Sequence, residues 1–173
     1  MSTTSDLAQA FIDESRRYLS AEYLPKIRAC LEQLSDEAIW WRANEASNSI
    51  GNLVLHLAGN VRQWIASGVG GAPDIRDRPQ EFAQREPIAG TELLSRLTEA
   101  VGAADATLAR LSPDALREHR TIQGTSTTVY MAIYHVVEHF STHTGQIILI
   151  TKMHPEARVQ FYQLVDGVAH PRW

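Results

Sequence analysis

The sequence predicts an all-α fold, a bundle of four long helices. In four separate blocks of the 173-residue chain, apolar residues recur at three- and four-residue steps. The breaks between these blocks carry capping and breaking residues: Asn48-Ser49, a Gly/Pro-rich stretch, and Gly124. With 44 % hydrophobic residues the chain is long enough for one self-sufficient core, so residues 1–173 read as a single domain.

The first block runs from about Ser5 to Leu34 through Leu7, Phe11, Tyr18, Leu19, Tyr23, Leu24, Ile27, Leu31 and Leu34. Pro25 lies inside it, removing a backbone donor and crowding the preceding turn. A bend near Ala21–Glu22 within one helix is therefore expected. Cys30 reads as a small buried hydrophobe, with Lys26 the only reactivity-promoting neighbour one turn away. The second block opens at the capping residues Asn48-Ser49 and continues to about Ser67, with Ile50, Leu53, Val54, Leu57, Val61, Trp64 and Ile65 on one face. Gly68 to Pro87, rich in glycine, proline and charge, is expected to be a long surface loop. The third helix is expected from Thr91 to about Leu111 and the fourth from about Thr127 to Met153. Beyond Pro155, the tail carries Val159, Phe161, Tyr162, Leu164 and Val165, too apolar for a disordered end; it is expected to pack on the bundle or on a partner.

A weak internal echo links Leu34-Ser-Asp-Glu-Ala-Ile39 with Leu111-Ser-Pro-Asp-Ala-Leu116. Each follows a long helix and precedes a histidine-bearing one. Ser35 and Ser112 can each cap a short helical turn, and Pro113 stands where a first helical residue tolerates proline. The echo reads as a common helix connector.

Composition removes several classes of function. The formal charge of −4 and the absence of a Lys/Arg-rich run give no footprint for a nucleic-acid backbone. No apolar stretch approaches the roughly 20 residues that span a bilayer, and the start Met1-Ser-Thr-Thr-Ser-Asp has neither a positive n-region nor an apolar h-region. A cytoplasmic location is expected, in keeping with a lone cysteine that cannot form an internal disulfide.

The chemistry concentrates in His135-Val-Val-Glu-His139-Phe-Ser-Thr-His143-Thr-Gly-Gln146. At about 100° per residue the three histidines project at roughly 0°, 40° and 80°, with Gln146 near 20°, on one stripe of the helix. Adjacent members are about 6 Å apart along the axis and the outer two about 12 Å, so an ion can use either adjacent pair, and His139 belongs to both. A third ligand could come from His56, His119, His154 or His170. His56 is the best placed, mid-helix beside the apolar face, where Gly59 would let another backbone approach. The others fall near predicted ends or loops. Phe140 occupies the position where a His-Glu-x-x-His metallopeptidase carries its general base, which disfavours peptidase chemistry. Glu138 and Gln146 are candidate partners for the ligands, and Thr142, Tyr134 and Gln146 candidate substrate contacts.

The segment Ser49-Ile-Gly-Asn-Leu-Val-Leu-His56-Leu-Ala-Gly-Asn, followed by His139-x-x-x-His143-Thr-Gly-Gln146-Ile, resembles the DinB/YfiT-like superfamily of metal-binding four-helix bundles over nearly the whole chain. Trp40-Trp41-Arg42 is similar too, though less diagnostic. The resemblance implies an up-down-down-up bundle, frequently dimeric, with a three-histidine divalent site. It thereby selects His56, His139 and His143 as ligands, leaves His135 in the pocket or behind the ligands, and implies nickel or zinc as the cofactor. Some members of that family transfer low-molecular-weight thiols, and others isomerise or hydrolyse small molecules.

The leading expectation is therefore a metal-dependent small-molecule (thiol) transferase or hydrolase, homodimeric, in which metal-bound thiolate or hydroxide replaces a protein nucleophile. A second is a non-catalytic metal-binding or stress-response module with a structural ion. A third, an interaction role, rests on the tail and on Trp64, Phe161 and Trp173 as exposed aromatics.

Overall fold

The first helical rod forms one uninterrupted run from α1 (Thr3–Arg17) through a π-helical stretch (Tyr18–Tyr23) into α2 (Leu24–Leu31). This is a computed structural model, and it describes residues 3–173; Met1 and Ser2, which open the segment read above for leader features, lie outside them. Pro25 accounts for the middle of the rod. Its ring crowds the turn behind it and it offers no N–H, so the backbone widens just before it, and the Leu24 N–H reaches back five residues to the Leu19 carbonyl. The irregularity expected at Ala21–Glu22 thus takes the form of a wide turn inside one rod. Cys30 on this rod is fully buried, and burial pushes its thiol up to about 11, so it is the inert hydrophobe expected.

The connectors follow local capping chemistry. Ser35 accepts a hydrogen bond from the Ala38 N–H and starts α3 (Asp36–Trp40), whose first turn carries Asp36 and Glu37. Ser49 and Asn52 cap each other reciprocally at the start of α4 (Ile50–Val61), which passes directly into a second π-helical stretch (Arg62–Val69). In the stretch expected to be a surface loop, Asp77 caps and Pro79 opens a short helix, α5 (Arg78–Ala83), that turns Glu81 into the interior. α6 (Gly90–Leu108) and α7 (Val129–Met153) match the third and fourth predicted helices. Pro113 begins the expected short turn (Pro113–Arg117), but Ser112 makes no side-chain cap there.

Two β-hairpins qualify the all-α expectation. β1 (His119–Ile122) pairs antiparallel with β2 (Thr125–Thr128), and β3 (Tyr162–Val165) with β4 (Val168–Pro171). Four-residue strands give too few alternations to register as a pattern, and the turns alone betray them. Gln123-Gly124 and Asp166-Gly167 all have positive φ, the two-residue hairpin geometry that glycine makes accessible. Gly124, read as a helix breaker, is a hairpin tip.

α4 packs chiefly on α6, α5 and α7, burying Ile50, Leu53, Val54, Leu57 and Val61, while α7 contributes Val129, Ile133, Val136, Phe140 and Ile147. Arg16 ties the first rod to α6 through a forked ion pair with Asp105, at 2.8 and 3.2 Å. The tail packs on its own chain only in part, since Tyr162, Leu164 and Val165 on the β3–β4 hairpin are exposed. Val159 and Phe161 are buried, and the Trp173 indole N–H donates to the Ala21 carbonyl at 2.9 Å beneath Lys26 Nζ. Of the three aromatics expected to be exposed, Phe161 is buried, while Trp173 on the first rod and Trp64 beside His135 are partly covered. Among the described residues no helix is long and apolar enough to cross a membrane.

Gly51 holds α4 against Trp40. A Cβ there would lie 2.7 Å from the indole, whose N–H is fixed on the Ile88 carbonyl. Gly51→Ala is expected to destabilise the fold by about 1–3 kcal/mol in urea unfolding. Gly102→Ala, in open space mid-helix, should stabilise it by about 0.5–1 kcal/mol.

Candidate metal centre

α4 and α7 run side by side in opposite directions, since His56 meets His139 while Asn60, one turn on, meets His135, one turn back. This register brings His56, His139 and His143 together, with one ligand atom from each lying within 4.8 Å of the others. His56 is buried at 4 % exposure, and the other two are partly covered. The Nε2 atoms of His56 and His139 are 2.9 Å apart. Two imidazoles on a tetrahedral ion with ordinary bond lengths stand roughly 3.3 Å apart, so seating a cation requires a shift of a few tenths of an ångström. The donor set, three nitrogens with no carboxylate among them, suits a borderline divalent metal.

A layer behind the ligands fixes their orientation. Glu81 accepts from His56 Nδ1 at 2.8 Å. An ionised carboxylate has no proton to give, so the hydrogen resides on Nδ1 and Nε2 is the ligand-bearing nitrogen. Arg76 in turn grips Glu81 with Nε at 2.7 Å and Nη2 at 2.8 Å, and its Nη1 donates to Gln63 at 2.9 Å. Gly59 makes the room. A Cβ there would fall 1.9 Å from the Glu81 carboxylate, so the close approach anticipated at this glycine is made by a side chain and not by a backbone. On α7, the Gln146 carbonyl oxygen accepts from His143 Nδ1 at 2.6 Å, which turns Nε2 of His143 toward the cluster.

Electrostatics favour neutral imidazoles. Burial, reinforced by the neighbouring histidines and Arg76, pushes His139 down to about 3. Burial also lowers His143 and His135, the first opposed by its bond to Gln146 and the second by nearby Glu138. Glu81 stays below the ordinary carboxylate range. Burial alone would raise it, but hydrogen bonds from Arg76 and His56 outweigh that.

The remaining candidates separate cleanly. His135 lies outside the triad, its ring 4.3 Å from that of Trp64. His119 and His170 are exposed on hairpins, and His154 packs edge-on against Trp41. Glu138 accepts from Thr142 and acts on His135 and His143 through its charge, without a hydrogen bond to either among the described residues, and Tyr134 is 53 % exposed against Tyr130. Arg76 and Glu81 went unread in the sequence. Their signal was Asp77-x-Pro79, a cap and first-turn proline marking a helix within the supposed loop. Beside the triad lies a cavity of about 230 Å³, which includes His56, His139, Asn60, Trp64 and Arg78 in its walls.

Fold and site together define a DinB-like helical protein. The chain belongs to the family described as protein of unknown function (DUF1572), which matches residues 6–167, and with it to the DinB/YfiT-like superfamily. Among solved structures, the 2.01 Å crystal structure of a DinB-like protein from Bacillus cereus ATCC 10987 is similar, with a TM-score of 0.63 over 82 % of this chain and 89 % of that chain. The identity is 14 %, so the likeness speaks to the fold alone. No curated protein sequence matches the chain.

Histidines whose folded pKa lies below the unfolded value of about 6.5 bind fewer protons folded than unfolded. The metal-free protein should therefore lose stability as pH falls from about 6.5 toward 3, by up to about 1.4 kcal/mol per pH unit for each such histidine. Denaturant midpoints across this range should show a shallower slope for His139→Asn. Glu81→Gln should weaken zinc affinity about 10- to 100-fold in a competition titration with a chromogenic chelator.

Proposed function

We propose that this protein holds a divalent metal ion, nickel or zinc, on His56, His139 and His143, and uses it as a transferase or hydrolase of small molecules, thiols foremost. The observation that carries this reading is the convergence of three imidazoles from two helices, one of them aimed by the Glu81–Arg76 pair. An ion bound by three neutral imidazoles retains its full charge and open positions, and lowers the pKa of a coordinated water or thiol toward neutrality.

The chain's own residues supply the rest. His56 and His143 are held by Glu81 and Gln146 with Nε2 forward. Phe82 packs its ring 4.6 Å from that of His56, and the adjacent cavity receives the small molecule. Cys30, the lone cysteine, is buried and protonated, so the nucleophile is not a thiol of the protein. The same reading takes the long helices as an up-down-down-up four-helix bundle that assembles as a homodimer. The second reading is an ion that only ties α4 to α7, and it draws on the same bridge between those helices.

Elemental analysis of the purified protein should find about one divalent ion per chain, and His139→Ala should lose it. Zinc or nickel at 100 times its dissociation constant should stabilise the stripped protein by about 2.7 kcal/mol, raising Tm by roughly 5–10 °C. A protein that neither carries nor is stabilised by either metal would refute the proposal. If the bound ion admits no exogenous thiol or anion, the structural reading holds instead.

A further inference from the structure

The chain carries 20 acidic against 16 basic residues, yet among the described residues no carboxylate lines the cavity beside the histidine cluster. Its walls include two arginines, the indole of Trp64, and the amides of Asn60 and Gln123. The arginines differ in one respect. Arg76 is neutralised by the fork it makes with Glu81. Arg78, two residues on, is exposed, and among the described residues no carboxylate pairs with it. It lies 5.1 Å over the ring of Phe82, which in turn lies 4.6 Å from the His56 ring. An uncompensated cation is thus held one phenyl ring away from a histidine of the triad.

Two further residues complete the wall. Trp64 closes it beside His135, with its indole nitrogen itself buried. Gln123, at the tip of the β1–β2 hairpin, also lines the cavity, its amide N–H donating to the Gln63 side-chain oxygen. The cavity, about 230 Å³ and open to solvent, seats a small group beside the histidines.

We propose that this cavity is an anion subsite, in which Arg78 receives the carboxylate of a small mercaptocarboxylate whose sulfur faces the three histidines. The inference rests on the metal-and-thiol reading above and adds to it the charge and length of the substrate. Carboxylate recognition by a guanidinium is geometrically matched and charge-assisted.

The test uses the full-length protein loaded with cobalt(II), whose thiolate absorption reports sulfur coordination directly. 3-Mercaptopropionate, 2-mercaptoethanol and cysteamine are titrated in turn. The anionic thiol should bind about tenfold tighter than the neutral one, and the cationic thiol most weakly. Arg78→Gln should reduce the anionic preference to about twofold or less, and Gln123→Glu, which places a carboxylate in the wall, should reverse it. Cobalt affinity is titrated for each variant, so that a lost site is not read as a lost preference. Equal affinities for charged and neutral thiols, or a preference retained in either variant, would overturn the subsite while leaving the thiol reading intact. No thiolate absorption with any of the three, on protein that binds cobalt, would overturn both.

Discussion

The arrangement depends on the hydrogen bond between His56 and Glu81. It joins a helix in the core to a segment that would otherwise run over the surface, and decides which nitrogen of the imidazole faces the cluster. A buried carboxylate is costly unless its oxygens are satisfied. Here three donors from two residues, Arg76 and His56, meet them, so ionisation is retained despite burial. Removing any one of these three groups leaves another charged or polar group buried without its partner.

The architecture around this bond is conservative. α4 is apolar on nearly all sides except where His56, Asn52 and Asn60 break the pattern, and each of these polar side chains has a defined partner. Asn52 donates to the carbonyls of Glu81 and Gln84, so the same helix that carries the histidine also anchors α5 at two further points. α5 is thereby fixed by backbone as well as side-chain contacts, and Glu81 is presented at a set distance without relying on the length of the connecting loop.

Periodicity made the long helices legible, because an apolar stripe at three- and four-residue steps leaves little else for the chain to form. The His139–His143 spacing and the polar break at His56 were readable for the same reason. What escaped was encoded in three or four residues at a time. The hairpins have strands too short to show alternation, and α5 has a single turn and a half of sequence in which a cap and a proline are the whole signal. The partial cover of Trp64 is not legible, because an aromatic residue near the end of an apolar face looks the same whether solvent or His135 lies beside it. Arg76 and Glu81 resemble any two charges on a loop until the fold shows that Gly59 has left a space of their size.

The contact between His56 and His139 closes a stretch of 83 residues. Bringing such distant positions together in a disordered chain costs entropy that a pair of imidazoles cannot recover, and the cost grows only slowly with further length. The hydrophobic faces of the helices must therefore assemble first, and the histidines meet as a result. Any cation that these imidazoles hold would enter a receptacle already assembled but for a small adjustment, and would not be the template on which the polypeptide folds. That order distinguishes this centre from the small metal-nucleated domains that have no structure until they are loaded.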